Sequence, residues 1–349
     1  MRRPENGKPR QIATLPRTRL PSQNSPENRK LITTAVSEGK QSFKPSKHLV
    51  PMSSGKLLSI TISRPHKYWG AYIVKGRLVF VYGPRGVGKS HLAMAIAVSM
   101  ATGHSFLGFK PEKAVRVVIL DGEMDLRTLK VRLRRTLAAL GAEPTDNLKI
   151  VSPEMTTENI PNLNTPSGQA EMEEILGDFD VLIIDNYAAF SSGREDAEAW
   201  APWARWLMKL RRTGRTAILV HHSGKSGQQR GASNHEDAMD AAISVNQPKY
   251  AATDGSLQLV IRWEKARHLP LSATRPMLAI YRKDDDGKGT WTKGDVDDVT
   301  VDPLQIKAIE LHAKGMSQTE IGLKLGKNKS TIGRWLKKTA KDGKADGET

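Results

Sequence analysis

The sequence predicts an α/β fold in which a mostly parallel central sheet is followed by a small all-α module. The first observation is a series of short, almost continuous apolar runs that alternate with helical patterns through the middle of the chain. Such runs are typical of parallel strands covered on both faces. The second observation is a glycine-rich segment between the apolar run 78–82 and the helical pattern that follows it. The third is a C-terminal region with helix-capping and glycine signals but no strand-like run.

The segment 1–56 is expected to be a basic, largely disordered tail, because it is rich in Pro, Ser, Asn, Lys and Arg and has no periodic apolar pattern. Residues 1–50 carry eleven Lys and Arg against three acidic residues, and residues 303–349 carry ten against five. Most of the formal charge of +17 therefore lies at the two ends. Basic ends around a nearly neutral middle favour an anionic polymer such as DNA as a partner. Solvated tails that aid solubility are the alternative.

Composition excludes several classes of protein. A chain of 349 residues has room for one large domain and a small one. The sequence contains no cysteine, which excludes disulfides and thiolate metal sites. No apolar run is long enough to cross a membrane, and the first residues lead into no hydrophobic signal core. We therefore expect a cytoplasmic protein without a membrane partner.

The run 78–82 leads into a segment that fits the P-loop pattern G-x-x-x-x-G-K-[ST], and a helical pattern follows at 89–102. The glycines allow successive backbone N–H groups to surround a phosphate chain, and the helix N-terminus adds positive potential. Lys89 is expected to reach the β and γ phosphates, and Ser90 to hold Mg²⁺. We therefore expect ATP and Mg²⁺ as ligands. The nucleotide-binding residues are Gly83, Pro84, Arg85, Gly86, Val87, Gly88, Lys89 and Ser90.

A carboxylate follows the next strand, 115–120. Glu123 lies just beyond the C-terminal end of this strand, where it can hold and polarise an attacking water. Asp121 is the nearest rival for this role, and Asp125 is expected to cap the following helix.

Two further strands end in polar residues. The run 181–184 ends in Asp185, the Walker B arrangement that delivers a carboxylate to Mg²⁺. The run 216–220 ends in His221 and His222, either of which can touch the γ-phosphate. A zinc site at the two histidines is rejected, because no third ligand lies at a suitable spacing.

The later runs 257–263 and 277–281 alternate more and predict antiparallel strands at one edge of the sheet. Residues 282–302 are interpreted as a turn and then a linker. The remaining helices are predicted at 125–140, 168–177 and 196–212. Core or interface packing is the favoured explanation for a stripe of Trp200, Trp203 and Trp206.

The segment 303–340 predicts three short helices of the helix-turn-helix kind. Ser317 and Glu320 fit a capping box, and a third helix is expected from about Asn328. A plain structural bundle is the alternative. The candidate DNA-binding residues here are Lys329, Ser330, Thr331, Arg334, Lys337 and Lys338. The predicted domains are the tail 1–56, the core 57–292, the linker 293–302, the helix-turn-helix 303–340 and the flexible tail 341–349.

These motifs, in their order along residues 57–292, resemble the RecA-like ATPase core of the RepA type. That family comprises hexameric replicative helicases of plasmids, related to the DnaB-like group. The matching segments are 83–90, 120–123, 183–185, 220–225 and 230–233. The resemblance implies that Glu123 is the catalytic base, Asp185 the Walker B acid, and His221 or His222 the γ-phosphate sensor.

The resemblance also implies a homo-oligomeric ring, in the family a hexamer, with single-stranded DNA in its channel. The loop 223–230 would border that channel and bring Lys225 and Arg230 to the strand. Lys265 and Arg267 resemble the Lys-x-Arg pair that the DnaB-like group supplies to a neighbouring subunit's nucleotide. Arg230 is a competing candidate for that role.

The leading prediction is a replicative DNA helicase of a plasmid, phage or mobile element. The chain has a basic tail where DnaB-like helicases have a folded domain, and it adds a helix-turn-helix to the RepA-type core. An ATPase that loads or assembles on a DNA site without unwinding is therefore kept as an alternative. A nucleotide-sensing DNA-binding regulator is the third, although a sensor needs no water-activating base such as Glu123.

Overall fold

The computed structural model describes residues 49–191, 197–222, 238–252, 254–269, 273–284, 287–296 and 302–336. Its contacts divide the chain into two units, residues 1–64 and residues 65–349. In the first unit, helix α1 (Ser54–Ser59) is capped by Ser53, whose hydroxyl accepts a hydrogen bond from the Lys56 amide at 3.3 Å. Most of the predicted tail lies outside the described residues.

The second unit contains the other elements. The strands are β1 (Lys67–Trp69), β2 (Ile73–Val74), β3 (Leu78–Gly83), β4 (Val117–Asp121), β5 (Leu148–Val151), β6 (Val181–Asp185), β7 (Thr216–His222), β8 (Ala241–Asn246), β9 (Leu257–Ala266), β10 (Met277–Lys283) and β11 (Gly289–Gly294). The helices are α2 (Lys89–Thr102), α3 (Leu126–Leu140), α4 (Pro166–Leu176), α5 (Ala197–Arg212), α6 (Pro303–Ala313), α7 (Gln318–Leu325) and α8 (329–336). Short 3₁₀ turns span Pro153–Met155 and Tyr187–Phe190.

Within the described part of the chain, nine strands form one sheet in the order β11-β10-β9-β8-β3-β7-β6-β4-β5. Strands β8, β3, β7, β6, β4 and β5 run parallel, and β9, β10 and β11 are added antiparallel at one edge. The prediction of an α/β fold with a mostly parallel sheet is confirmed. Because parallel strands end at the same edge, the segments after β3, β4, β6 and β7 are brought together there.

Each face of the sheet is covered by helices. Alternate β3 residues such as Val79 and Val81 pack against α2 and α3, whereas Leu78 and Phe80 point to the opposite face. That second core contains the tryptophan stripe of α5, which confirms its interpretation as packing: Trp200, Trp203 and Trp206 are all buried. Among the described residues, no helix is both long and apolar enough to cross a bilayer.

The interpretation of residues 282–302 as turn and linker is partly wrong. Residues Gly289–Gly294 form β11, which pairs antiparallel with β10, and buried Val296 packs against the same edge of the sheet. The sequence Gly-Thr-Trp-Thr-Lys-Gly has too few apolar residues to predict a strand, and it is stabilised by pairing with its neighbour. The strand extends two residues past the predicted end of the core at 292.

The C-terminal residues form the three helices that were predicted. Ala308 and Leu311 of α6, Ile321 of α7 and Ile332 of α8 make a small buried core. The predicted capping box is present: the Ser317 amide donates to Glu320 Oε2 at 2.8 Å, and the Glu320 amide donates to Ser317 Oγ at 3.3 Å.

Candidate nucleotide-hydrolysis site

The P-loop follows buried strand β3 and turns directly into α2. Gly86 and Gly88 have φ angles of +74° and +110°, a region that residues with a Cβ rarely adopt. A Cβ on Gly88 would also lie 3.0 Å from a methyl group of Leu257. The backbone therefore passes close to β9, and this path holds the first turn of α2 at the edge of the site.

Lys89 is almost fully buried at the start of α2. Its Nζ donates to the carbonyls of Gly83 and Pro84, both at 2.8 Å, and lies 3.0 Å from Nδ1 of His222. Burial lowers the pKa of Lys89 to about 8, while the nearby carboxylates of Asp185 and Glu123 oppose that shift. A desolvated cation held in this way is poised to exchange these contacts for phosphate oxygens.

Asp185 is buried at the end of β6 and accepts a hydrogen bond from the Ser90 side chain. Burial raises the pKa of Asp185 to about 6, although the Ser90 hydroxyl and Arg132 counter this effect. A hydroxyl and a carboxylate are hard oxygen donors of the kind that Mg²⁺ prefers when phosphates and water complete its shell. Among the described residues, no group of three or more His, Asp or Glu could hold a metal alone. The Ser90–Asp185 pair therefore fits Mg²⁺ bound together with a nucleotide.

Glu123 and Asp121 have different surroundings. Asp121 is buried, and its Oδ1 accepts from the amides of Glu123 at 3.2 Å and Met124 at 2.8 Å. Burial raises the pKa of Asp121. The Glu123 side chain is about half exposed to the cavity and solvent. Asp121 thus shapes the turn that presents Glu123, which favours Glu123 as the group that contacts water.

The two histidines of β7 point to opposite faces of the sheet. His222 Nε2 lies 3.2 Å from Glu123 Oε1 and 3.2 Å from Asn186 Nδ2, and Asn186 also donates to Glu123. His221 instead packs beside Phe80 and Tyr187, with ring centroids 5.8 and 6.0 Å away. Burial lowers the pKa of His221 to about 4. Of the pair, the structure brings only His222 to the site.

These side chains line one cavity of about 390 Å³. It brings together the predicted P-loop, Walker B, catalytic-base and sensor candidates, namely Lys89, Ser90, Asp185, Glu123 and His222. The cavity also contains Arg132 of α3, which the sequence analysis missed. Burial lowers the pKa of Arg132, and the charges of Asp185 and Asp121 oppose that shift. Asn186, which contacts both Glu123 and His222, was missed as well.

The sequence places this site in a known family. Residues 43–228, just over half of the chain, match the AAA domain family. The chain belongs to the AAA domain family. Together with the P-loop and the strand order, this membership identifies a P-loop ATPase domain of the RecA-like kind. The narrower likeness to RepA-type helicases stays a prediction.

Solved structures similar to this AAA-domain chain include the RadB recombinase, with 14% identity over 64% of this chain and 93% of that one and a TM-score of 0.42. A KaiC-like protein from Pyrococcus horikoshii OT3 has 16% identity over 66% of this chain and 100% of that one, with a TM-score of 0.44. The flagellar accessory protein FlaH from Methanocaldococcus jannaschii has 12% identity over 61% of this chain and 87% of that one, with a TM-score of 0.42. No curated protein matches the sequence significantly. With TM-scores this low, the fold assignment rests on the strand order and the P-loop.

Lys265 and Arg267 lie outside the AAA-domain match and away from the cavity. The Arg267 amide donates to the carbonyl of Asp240 at 3.1 Å, and the Asp240 amide donates to the carbonyl of Leu78 at 2.9 Å. Leu78 is the first residue of β3, at the end of the sheet opposite the P-loop. The structure therefore does not bring this pair to the nucleotide site of its own chain.

The remaining candidate residues are divided between the α8 helix and parts of the chain outside the described residues. Lys329, Ser330 and Arg334 are exposed on α8, and Thr331 is half-buried. Asn328 caps this helix and accepts from the Thr331 amide at 2.9 Å. The candidates that lie outside the described residues are Lys225, Arg230, Lys337 and Lys338.

Proposed function

We propose that this AAA-domain protein hydrolyses ATP with Mg²⁺ in a DNA-dependent manner and acts as a RepA-type replicative helicase of a plasmid, phage or mobile element. One observation carries the hydrolytic part of the proposal. A buried lysine, a hydroxyl–carboxylate pair and a separate exposed glutamate converge on a single cavity at the C-terminal edge of a parallel sheet. A site that only sensed nucleotide would have no need of the glutamate.

The residues divide the reaction between them. Lys89 binds the β- and γ-phosphate oxygens and stabilises the charge that develops on them. Glu123 orients a water whose oxygen attacks the γ-phosphorus while the bond to the β–γ bridging oxygen breaks, and it accepts the proton that the water loses. ADP and phosphate leave. Mg²⁺ at Ser90 and Asp185 would supply further neutralisation of the phosphate charge. His222 contacts both Lys89 and Glu123 and is therefore placed to respond to loss of the γ-phosphate.

Two substitutions separate nucleotide binding from hydrolysis. Lys89→Ala should greatly weaken ATP binding, because the buried cation that reaches the phosphates is lost. Glu123→Gln should bind ATP as the wild type does but turn over about 10²–10⁴-fold more slowly, because the shape is kept and the base is lost. ATP affinity by calorimetry and steady-state phosphate release measure the two effects.

The exposed Glu143→Gln serves as the matched control and should behave as the wild type in both assays. Wild-type turnover in Glu123→Gln would show that the base is another group, with Asp121 the next candidate. Strand displacement on forked DNA then distinguishes the helicase from an ATPase that loads on DNA without unwinding. ATP turnover without displacement would favour that alternative.

The structure of the C-terminal module favours binding of the protein to a particular DNA site. Its small core, capping box and exposed Lys329 and Arg334 on α8 support DNA binding by a helix-turn-helix. In this proposal, phosphate contacts come from lysines, and Ser330, Thr331 and Arg334 face the base edges.

We further propose that the active form is a ring, with a hexamer as the expected size, in which Lys265 or Arg267 acts on the neighbouring subunit's nucleotide. Their position far from the site of their own chain supports action in trans. A Lys265→Ala, Arg267→Ala double variant mixed with Glu123→Gln should recover part of the ATPase activity, because mixed rings contain some complete sites. Mass photometry with ATP and DNA measures the assembly, and a monomer under those conditions would contradict the proposal.

A further inference from the structure

Asn186, the residue after the Walker B aspartate, is a buried side chain whose two ends make different contacts. Its Oδ1 accepts a hydrogen bond from the Ala189 amide at 3.2 Å and so caps the 3₁₀ turn that follows β6. Because a backbone amide can only donate, this bond fixes which end of the Asn186 side chain is the oxygen. The Nδ2 group is therefore the end that meets the nucleotide site, where it donates to Oε1 of Glu123.

His222 supplies a second donor to the same carboxylate oxygen. Lys89 carries three N–H groups, and the carbonyls of Gly83 and Pro84 accept two of them at 2.8 Å. The third meets Nδ1 of His222 at 3.0 Å. Since an ammonium group can only donate, Nδ1 is the acceptor, and the ring proton of the neutral imidazole lies on Nε2. That Nε2–H group then donates to Oε1 of Glu123 at 3.2 Å.

Two donors thus converge on Oε1 of Glu123. Their nitrogens, Asn186 Nδ2 and His222 Nε2, lie 3.2 Å apart because they share one acceptor. Within the described part of the chain, Oε2 of Glu123 makes no hydrogen bond, and the side chain is about half exposed. Donors on Oε1 stabilise negative charge there and restrict rotation of the long glutamate side chain. Oε2 is left free to contact a water molecule.

We propose that Asn186 is a positioning residue for ATP hydrolysis, which holds Oε1 of Glu123 so that Oε2 faces the attacking water and accepts its proton. The inference rests on the proposed function, in which Glu123 is the base. Capping the turn after β6 requires an acceptor and holding the carboxylate requires a donor, and an amide side chain provides both. A glutamate released from this contact would sample several rotamers, few of which orient a water in line with the γ-phosphorus.

Asn186→Asp tests this role, because it keeps the shape of the side chain and the acceptor for the Ala189 amide but replaces the donor with an oxygen. In steady-state phosphate release, kcat should fall by about tenfold or more. ATP affinity by calorimetry with Mg²⁺ should change by no more than about threefold, since the phosphate contacts of Lys89 are kept. Asn328→Asp is the matched control and should keep the wild-type basal kcat. It makes the same substitution at the cap of α8, where Oδ1 makes the contacts of the side chain.

A second measurement tests the contact itself and involves no turnover. In the wild-type background, Asn186→Asp places a second carboxylate against that of Glu123, and the two repel each other. In the Glu123→Gln background, the new amide can donate to the new carboxylate. With nucleotide and Mg²⁺ absent, Asn186→Asp should therefore lower the midpoint of urea unfolding in the wild-type background and lower it clearly less in the Glu123→Gln background. The comparison cancels the effect of the added charge on Asp185, which is present in both backgrounds.

Wild-type kcat in Asn186→Asp would overturn the inference, as would a loss of ATP affinity as large as the loss of kcat. An equal loss of stability in both backgrounds, including failure of both variants to fold, would overturn it as well. A wild-type protein that does not hydrolyse ATP, or wild-type turnover in Glu123→Gln, would instead overturn the proposed function and with it the catalytic role of Asn186. The unfolding comparison would still show in that case whether Asn186 holds Glu123.

Discussion

At the scale of single residues, the site places opposite charges in a buried environment. Asp185 is 6% exposed, and burial is the largest cause of its raised pKa. Lys89 is similarly desolvated, and its pKa is lowered. The charged forms of Asp185 and Lys89 bind Mg²⁺ and phosphate respectively, but burying these charges lowers the stability of the folded protein. Activity and stability should therefore respond in opposite directions when such a charge is removed.

Asp185→Asn should stabilise the protein at neutral pH while abolishing Mg²⁺-dependent ATPase activity. The pKa of Asp185 is raised from 3.8 to about 6 in the folded state, so the folded protein binds its proton more tightly than the unfolded chain. The unfolding free energy therefore falls as pH rises through about 4 to 6. Removing the charge should recover on the order of 2–3 kcal/mol at neutral pH, at about 1.4 kcal/mol per pKa unit.

Urea unfolding at neutral pH and at about pH 5 measures this difference, and the gain should shrink at the lower pH because wild-type Asp185 is then largely protonated. The exposed Asp146→Asn is the matched control and should change the unfolding free energy by less than about 0.5 kcal/mol. Equal gains at both pH values would show that the charge of Asp185 is not the cause.

At the scale of elements, the turn between β4 and α3 positions Glu123, the proposed catalytic base. The Gly122 amide donates to the carbonyl of Asp185 at 2.8 Å, and Asp121 accepts from the two amides that follow. A Cβ on Gly122 would lie 2.1 Å from the Cβ of Ala189 in the 3₁₀ turn after β6. The turn that carries Glu123 therefore packs directly on the segment that follows the Walker B strand.

Gly122→Ala should lower kcat by about tenfold or more, because the added Cβ must push the Glu123 turn away from Ala189, while ATP affinity changes little. The double variant Gly122→Ala, Ala189→Gly removes the opposing Cβ and should recover much of the activity. Phosphate release and calorimetric ATP binding measure both variants. Gly55→Ala, at a helical position with open space around it, is the control. Unchanged kcat in Gly122→Ala would contradict the tight packing of this turn.

How far the sequence predicts these elements depends on how local their causes are. Strands β3, β4, β6 and β7 were predicted, because each is a run of buried apolar residues. Strand β8 was not predicted, because its sequence contains alanines and a serine and is not a continuous run of large apolar residues. Its position depends instead on close packing against a residue far away in the sequence, since a Cβ on Gly83 would lie 2.0 Å from the Val245 carbonyl oxygen. Arg132 was missed because α3 carries five basic residues, and periodicity does not show which one enters the cavity.

At the scale of the whole molecule, the excess positive charge lies at the two ends of the chain, around a nearly neutral ATPase core. Electrostatic attraction to phosphates is largely independent of base sequence, so basic ends raise DNA affinity without selecting a site. Selection requires side chains that reach base edges from a fixed element. In the described part of the chain, α8 offers such an element, with exposed Lys329, Ser330 and Arg334.

Truncation after residue 300 should therefore separate affinity from selectivity. Basal ATPase activity should be unchanged, because none of the described residues of the module lines the nucleotide cavity. General DNA binding should persist through the basic N-terminal segment and should weaken steeply with salt. Preference for a particular duplex site should disappear.

Competition binding against a genomic DNA library measures this preference for the full-length and truncated proteins. If Arg334 contacts a base edge, Arg334→Ala in the full-length protein should reduce the difference in binding free energy between the preferred site and other sequences by about 1–3 kcal/mol. Lys307→Ala is the matched control, because Lys307 is a basic residue of α6 rather than α8 and is paired with Glu310 at 3.0 Å. If the full-length and truncated proteins enrich the same sequences equally, the three helices do not read DNA. Their small buried core would then indicate a structural or subunit-contact bundle.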